Sequence, residues 1–481
     1  MPQSEQTALL PPASDAALSH SQGTSRQRRV IILLLFYVVF LDIGYELIVP
    51  AQTRVFEQIY CRLYYEKHNP SLIGDHRNGQ IDEKLCKNDV IQGEVAMLKG
   101  WQLALDGIGM LAFSVPWAYV ADFRGRKPVL LLLTCALLVK YAFVQLICLF
   151  DGAVALEWSW LSAFHTVLGG SVTVATALIY TVVSDVVPED KRISVFFRVQ
   201  AAAIITQFLG PLLSAGLMIR SPWYPMVLGL VVELISILIL YFLPETLELR
   251  GPVSTAPPSP SSADTILEQS PPRHVKLLRA ISSSIAILTS DKRVLVAASS
   301  FVVHMLFLHR DILLQYISTR YNTSLSRATV IISVRSGLIV LFALFILPRF
   351  NTFYRKRLGS SRADLILCRI SAVFLAGSFL GIALSPTLGA LVLFLTLNSL
   401  GWGLFSFLRS LMTSLVHQDE VARLNSIIGV FDTAGQMLGS PILASLFWKG
   451  VKLQGFWFGL PFFFYTLVLS IIILSLLQAH V

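Results

Sequence analysis

The fold class the sequence predicts is all-α: a polytopic membrane protein with twelve transmembrane helices in two pseudo-symmetric six-helix bundles. Three observations predict it. Of 481 residues, 54% are hydrophobic and only 14% charged, against about 25% charged in a soluble domain, and mean hydropathy is +0.67. Twelve apolar runs each reach the ~20 residues needed to cross ~30 Å of hydrocarbon as a helix. They fall six and six around a polar segment, residues 244–293, whose "GPVSTAPPSPSSADT" is too rich in Pro and Ser to build a core and reads as a cytoplasmic linker.

Residues 1–29 are polar and read as a disordered tail, with no cleavable signal peptide apparent. The first bundle, 30–243, opens with span one at 30–50, followed by a long polar loop at 51–98. Spans two to six cover 99–121, 128–150, 158–184, 196–218 and 223–243. The second bundle, 294–481, places its spans at 294–316, 328–348, 364–384, 388–414, 425–447 and 456–477. Span one raises a question at once. Its "FLDIGYELIVP" sets Asp42 and Glu46 on one helical face, in a medium where an ionised group is costly.

Loop charge orients the chain. With both termini cytoplasmic, the cytoplasmic segments hold 20 Lys and Arg and the short outside loops hold 5, as the positive-inside rule requires. The net charge of +9 is therefore topogenic, and nucleic acid is not expected as a partner; the lipid bilayer is. Cys61 and Cys86 lie in the outside loop, where oxidation favours a disulfide; two free thiols are the alternative. The one N-x-S/T triplet begins at Asn322, also outside, where glycosylation is possible.

Between spans two and three the chain reads "AYVADFRGRKPVLLL". This resembles the G-x-L-A-D-R-x-G-R-K signature of the major facilitator superfamily. Asp122, Gly125, Arg126 and Lys127 match; Ala118, Val120 and Phe123 depart from it. "LPET" at 243–246 resembles the end of span six in many fungal members. The cysteine-bearing loop is similar to that of relatives of the proton-coupled folate transporter. "QFLGPLLSAG" at 207–216 resembles a span-five Gly-Pro motif of exporters, although Thr206 and Phe197 stand where that motif has glycines.

The resemblance implies a secondary transporter that rocks two halves around a central cavity, binding its substrate near the midplane. It implies a cytoplasmic gate in which Asp122 faces the start of span eleven, Leu424–Ser426, and Arg126 pairs with Asp185. It also implies that spans one, four, seven and ten line the cavity. Helical spacing puts polar stripes on those four: Asp42 and Glu46; Ser162, His165, Gly169 and Thr176; His304, Asp311 and Gln315; Asn398, Trp402, Phe405 and Arg409. Span twelve, by contrast, has no charge.

On this reading Asp42 and Glu46 face water and bind protons, cations or a cationic group. His165, His304 and Asp311 are further proton candidates, and Arg335 and Arg409 are candidates for an anionic group. Static ion pairing is the structural alternative for each. Lys140 and Glu233 read as packing or relay groups.

The expected activity is proton-coupled transport of a small organic molecule by a monomer, with export of a metabolite or drug favoured. Alternatives are a proton-coupled importer of an organic anion or nutrient, and a non-transporting receptor on the same scaffold. No enzyme, metal or cofactor motif is present: there is no G-x-x-x-x-G-K-[ST], HExxH or G-x-S-x-G. The plasma membrane is the expected location. A vacuolar or endosomal membrane is the alternative, since Glu5 with Leu9 and Leu10 resembles a dileucine sorting signal.

Overall fold

The structure, a computed structural model, describes residues 13–73, 81–246, 292–308, 310–416 and 421–478. The dileucine-like segment and nearly all of the 244–293 linker lie outside these residues. The described residues make twelve helical passes: α1 (Ala13–His68), α2 (Asp89–Arg124), α3 (Arg126–Leu149), α4 (Leu156–Val186), α5 (Glu189–Met218), α6 (Trp223–Tyr241), a segmented α7, α8 (Leu325–Leu358), α9 (Ser360–Leu384), α10 (Leu388–Ser414), α11 (Val421–Leu453) and α12 (Leu460–Gln478). Eleven are long and apolar enough to cross a membrane. The remaining pass, α7, is described over Lys292–Ser299, Phe301–Leu308 and Arg310–Arg320, with a turn at Ser300.

Several passes run well beyond the apolar segment that marks them. α1 continues through Pro50 to His68, so much of the expected 51–98 loop is helix. Polar residues carry a helix on past the hydrocarbon, because its backbone bonds are satisfied internally in either medium.

The irregular passes are informative. α4 begins as a 3-10 helix, Leu156–Leu168, and turns at Gly169 and Gly170, both at positive φ. α10 is interrupted by a 3-10 turn at Gly401–Gly403, and α7 turns at Ser300. A loosened backbone is tolerated at membrane depth where protein buries it or where it lines a cavity. Three of the four helices bearing polar stripes have this feature.

Each half has its own apolar core. One cluster joins Val30, Tyr37, Leu130, Val182 and Leu240 of the first half. Another joins Phe301, Tyr316, Leu375, Leu408, Phe447 and Phe462 of the second. Two separately packed bodies can move against each other without opening either core.

The halves meet along α2 against α11 and α5 against α8. On α2, Gly93, Gly100 and Gly107 recur every seven residues and face Trp448, Ala444 and Met437 of α11. A seven-residue repeat keeps one seam turned to its partner. On the other seam, Ser326 Oγ donates to Ala215 O at 2.8 Å, and Ser333 Oγ donates to Phe208 O.

A disulfide joins Cys61 to Cys86, both buried, with Cα atoms 5.2 Å apart. Beside it, Glu57 accepts from Lys87 Nζ and Gln92 Nε2, each at 2.6 Å, and pairs with Arg54. Glu83 reaches the other half, where it accepts from Leu325 N at 2.7 Å, at the start of α8. Cys61→Ser with Cys86→Ser is expected to cost about 3 kcal/mol, read as a lower melting temperature that reductant does not change further.

Candidate functional site

The two acids of α1 sit against α5 and α7. The Thr206 hydroxyl lies 3.3 Å from Asp42 Oδ2, sharing its hydrogen with Ala203 O at 2.7 Å. Glu46 is 4% exposed and forms an ion pair with Arg310 of α7. Gly210 explains the close fit, since a Cβ there would lie 2.5 Å from Glu46 Cβ. The Gly-Pro pair of α5 is therefore what allows α5 to pack on the acid-bearing turn of α1.

A second ion pair crosses between the halves beside the first. Lys99 on α2 donates to Asp311 Oδ1 at 2.6 Å and to Thr53 Oγ1 at 2.6 Å. Gln315, one turn further along α7, is 1% exposed with neither amide atom hydrogen-bonded, and it lines a small pocket with Lys99, Asp311 and Ser440. These contacts lie in the part of the molecule that carries the disulfide. They bind the halves together there.

His165 hydrogen-bonds Ser162 O at 2.9 Å and lies 3.9 Å from Asp106 Oδ1 on α2. Lys140 donates to Asp106 Oδ2 at 2.6 Å, so it belongs to a buried triad with α2 and α4. His304 Nδ1 lies 2.9 Å from Asp432 Oδ1 on α11, and Arg409 Nη2 lies 4.0 Å from Asp432 Oδ2. Arg335 is fully enclosed, donating from Nε and Nη2 to Asn398 Oδ1 at 3.2 and 2.9 Å, with its guanidinium 5.1 Å from the Trp402 ring. Lys99, Asp106, Asp432 and Thr206 are site neighbours that sequence reasoning missed. For the three charged residues the available signal was an acid or base inside an apolar span, matched to an opposite charge elsewhere; Thr206 carried no such signal.

At the other end, the 122–127 loop closes on its own half. Arg126, 3% exposed in its side chain, pairs with Asp122 at 2.5 Å and Asp185 at 3.4 Å, and donates to Ala121 O at 2.8 Å. The backbone N–H groups of Arg126 and Lys127 donate to Glu245 at 3.0 and 3.1 Å, so that carboxylate, from "LPET", caps the N-terminus of α3. Lys127 Nζ donates to Tyr241 O at 2.7 Å. Gly125 has φ +105°, and a Cβ there would lie 2.4 Å from Glu245 Oε2, so the position excludes a side chain twice over. The Asp122 side chain is 60% exposed, and Arg126 is its one ion-pair partner among the described residues. Asn322 is exposed on a turn at φ 48°.

Two helical bundles, each with its own core, with buried charges shared across the seam between them, define a membrane transporter. Residues 95–440 match the family model of the Major Facilitator Superfamily. The chain is 31% identical over 442 residues to the MFS efflux pump atnC of Emericella nidulans, covering 90% of this chain and 84% of that protein. It is 25% identical to the efflux pump ustT of Aspergillus flavus, covering 89% and 83%. Among solved structures, the nucleoside transporter NupG superposes with TM-score 0.65 at 13% identity, covering 93% and 99%. A D-xylose–proton symporter does so with TM-score 0.64 at 14% identity, covering 93% and 97%. At those identities the likeness shows the fold alone. This chain belongs to the Major Facilitator Superfamily.

Proposed function

We propose that this protein is a proton-coupled exporter of a small organic molecule, working as a monomer with both termini in the cytoplasm. The disulfide loop then faces outside, and the conformation described has its outer end closed. The observation that carries the reading is the Glu46–Arg310 pair. Glu46 belongs to the acid pair of α1, and it is also the group that ties α1 to α7 across the seam. A proton on Glu46 removes the charge that holds Arg310, so protonation and outer-gate opening draw on one carboxylate. Asp42, one turn away on α1 and beside the Thr206 hydroxyl, is the second proton-binding group of this reading. The Arg126 cluster organises the cytoplasmic ends of the first half, and the names of the fungal relatives support the outward direction.

Deleting the protein from its fungus is expected to shift one or more compounds from the medium into the cells. Such a compound, given to vesicles containing the purified protein, should accumulate only under an imposed pH gradient. Asp42→Asn and Glu46→Gln should each reduce that accumulation at least tenfold. Accumulation equal in wild type and both variants would overturn proton coupling through this pair. No moved compound at all would favour the receptor reading.

A further inference from the structure

Four bases that are buried or partly buried in the described residues set the comparison for Arg335. Lys99, Arg126, Lys140 and Arg310 each have a carboxylate within ion-pair distance: Asp311 at 2.6 Å, Asp185 at 3.4 Å, Asp106 at 2.6 Å, and Glu46. Arg335 does not. It is 4% exposed, and among the described residues no carboxylate lies within 4 Å of it. Its acceptor is a single neutral oxygen, Asn398 Oδ1, shared by Nε and Nη2. A guanidinium has five N–H donors, and an uncompensated buried charge costs far more than one amide oxygen returns.

The surroundings are built rather than incidental. Asn398 is itself 0% exposed, and its Nδ2 donates to Ser378 Oγ at 3.0 Å, which fixes its oxygen towards the guanidinium. Trp402 covers the cation from one side. Arg335 and Asn398 open into a pocket with Tyr465, walled otherwise by apolar side chains such as Ile312, Phe379 and Phe462. A cation with spare donors facing an otherwise apolar pocket with room for about one water-sized group suits a compact anionic group.

We infer that Arg335 is an anion-binding residue whose missing counter-ion is an acidic group, either a carboxylate borne by the transported molecule or a small free anion such as chloride. The inference deepens the transport reading by assigning the cargo's chemical class. Its test reads binding alone, so a negative result leaves transport standing, and a failed transport assay leaves the anion site standing.

The full-length protein, purified in detergent, is melted in a Tris–HEPES buffer, whose bulky sulfonate is no carboxylate, with chloride or benzoate replacing HEPES at constant ionic strength. Wild type is expected to show a saturable rise of several degrees with at least one of the two. A rise with benzoate, competed by chloride, identifies a carboxylate site; a rise with chloride alone identifies a free-ion site. Arg335→Gln is expected to lose the response. Asn398→Asp supplies the counter-ion within the chain, so it should melt in the HEPES buffer as high as saturated wild type and respond to neither anion. It tests the inference even if Arg335→Gln does not fold. No rise in wild type, or equal rises in wild type and Asn398→Asp, would overturn the assignment.

Discussion

Arg310→Gln is expected to abolish transport and to destabilise the protein by about 3–5 kcal/mol, the usual consequence of removing one partner from a buried ion pair. Glu46 is 4% exposed, and Gly210 packs directly behind its Cβ, so the carboxylate has little freedom to turn towards water. The neighbouring Lys99 is already committed to Asp311 and Thr53. Stability should largely return in the double variant Glu46→Gln with Arg310→Gln, because two neutral amides replace the stranded charge. Transport should not return, since the proton-binding carboxylate is gone. Thermal denaturation of the three variants beside vesicle uptake separates the two effects. Full transport by the double variant would show that the pair only holds the fold.

Gly100→Leu is expected to block transport with the fold intact, by forcing the halves apart at the disulfide end. A Cβ at this position would lie 2.8 Å from Ala444 Cβ and 3.1 Å from the backbone oxygen of Ser440. A backbone atom cannot yield as a flexible side chain can, and overpacking commonly costs 1–3 kcal/mol. Here relief is available without unfolding, because each half keeps its own core and the two bodies can part. The control is Gly377→Leu on α9, where a Cβ would meet nothing within 4 Å; it should transport as wild type does. Cysteine cross-linking between α2 and α11 reads the separation, and unchanged cross-linking in Gly100→Leu would contradict the expectation.

Most of the fold was legible because lipid writes a strong pattern. Spans must be long and apolar, so their number followed from runs such as Val30–Pro50 and Phe456–Leu477. The turn at Ser300 in α7 was not legible, since "VLVAASSFVVHMLF" is apolar enough to read as one span. The Arg126–Asp185 pair and the Cys61–Cys86 bond were readable because each rests on a short motif or on two cysteines in one polar loop. Asp42 and Glu46 stood out as charges in a greasy run.

Their partners did not stand out. Arg310 lies 264 residues from Glu46 and Asp432 lies 128 from His304, and only tertiary packing decides such pairs. The Gly93, Gly100 and Gly107 repeat was visible in the letters. What it packs against is a property of the fold, and only the opposing face of α11 gives those glycines their purpose.

The most direct test of the account is a pair of spin-label distances across the α5–α8 seam. One pair, at Ile219 and Arg327, reports the disulfide end; the other, at Phe197 and Phe350, reports the motif end. All four side chains are exposed. When the exported compound is added and the pH is stepped, the first distance is expected to lengthen as the second shortens. Distances that stay fixed under every condition, or that change in the same direction at both ends, would contradict a transporter built from two rocking halves.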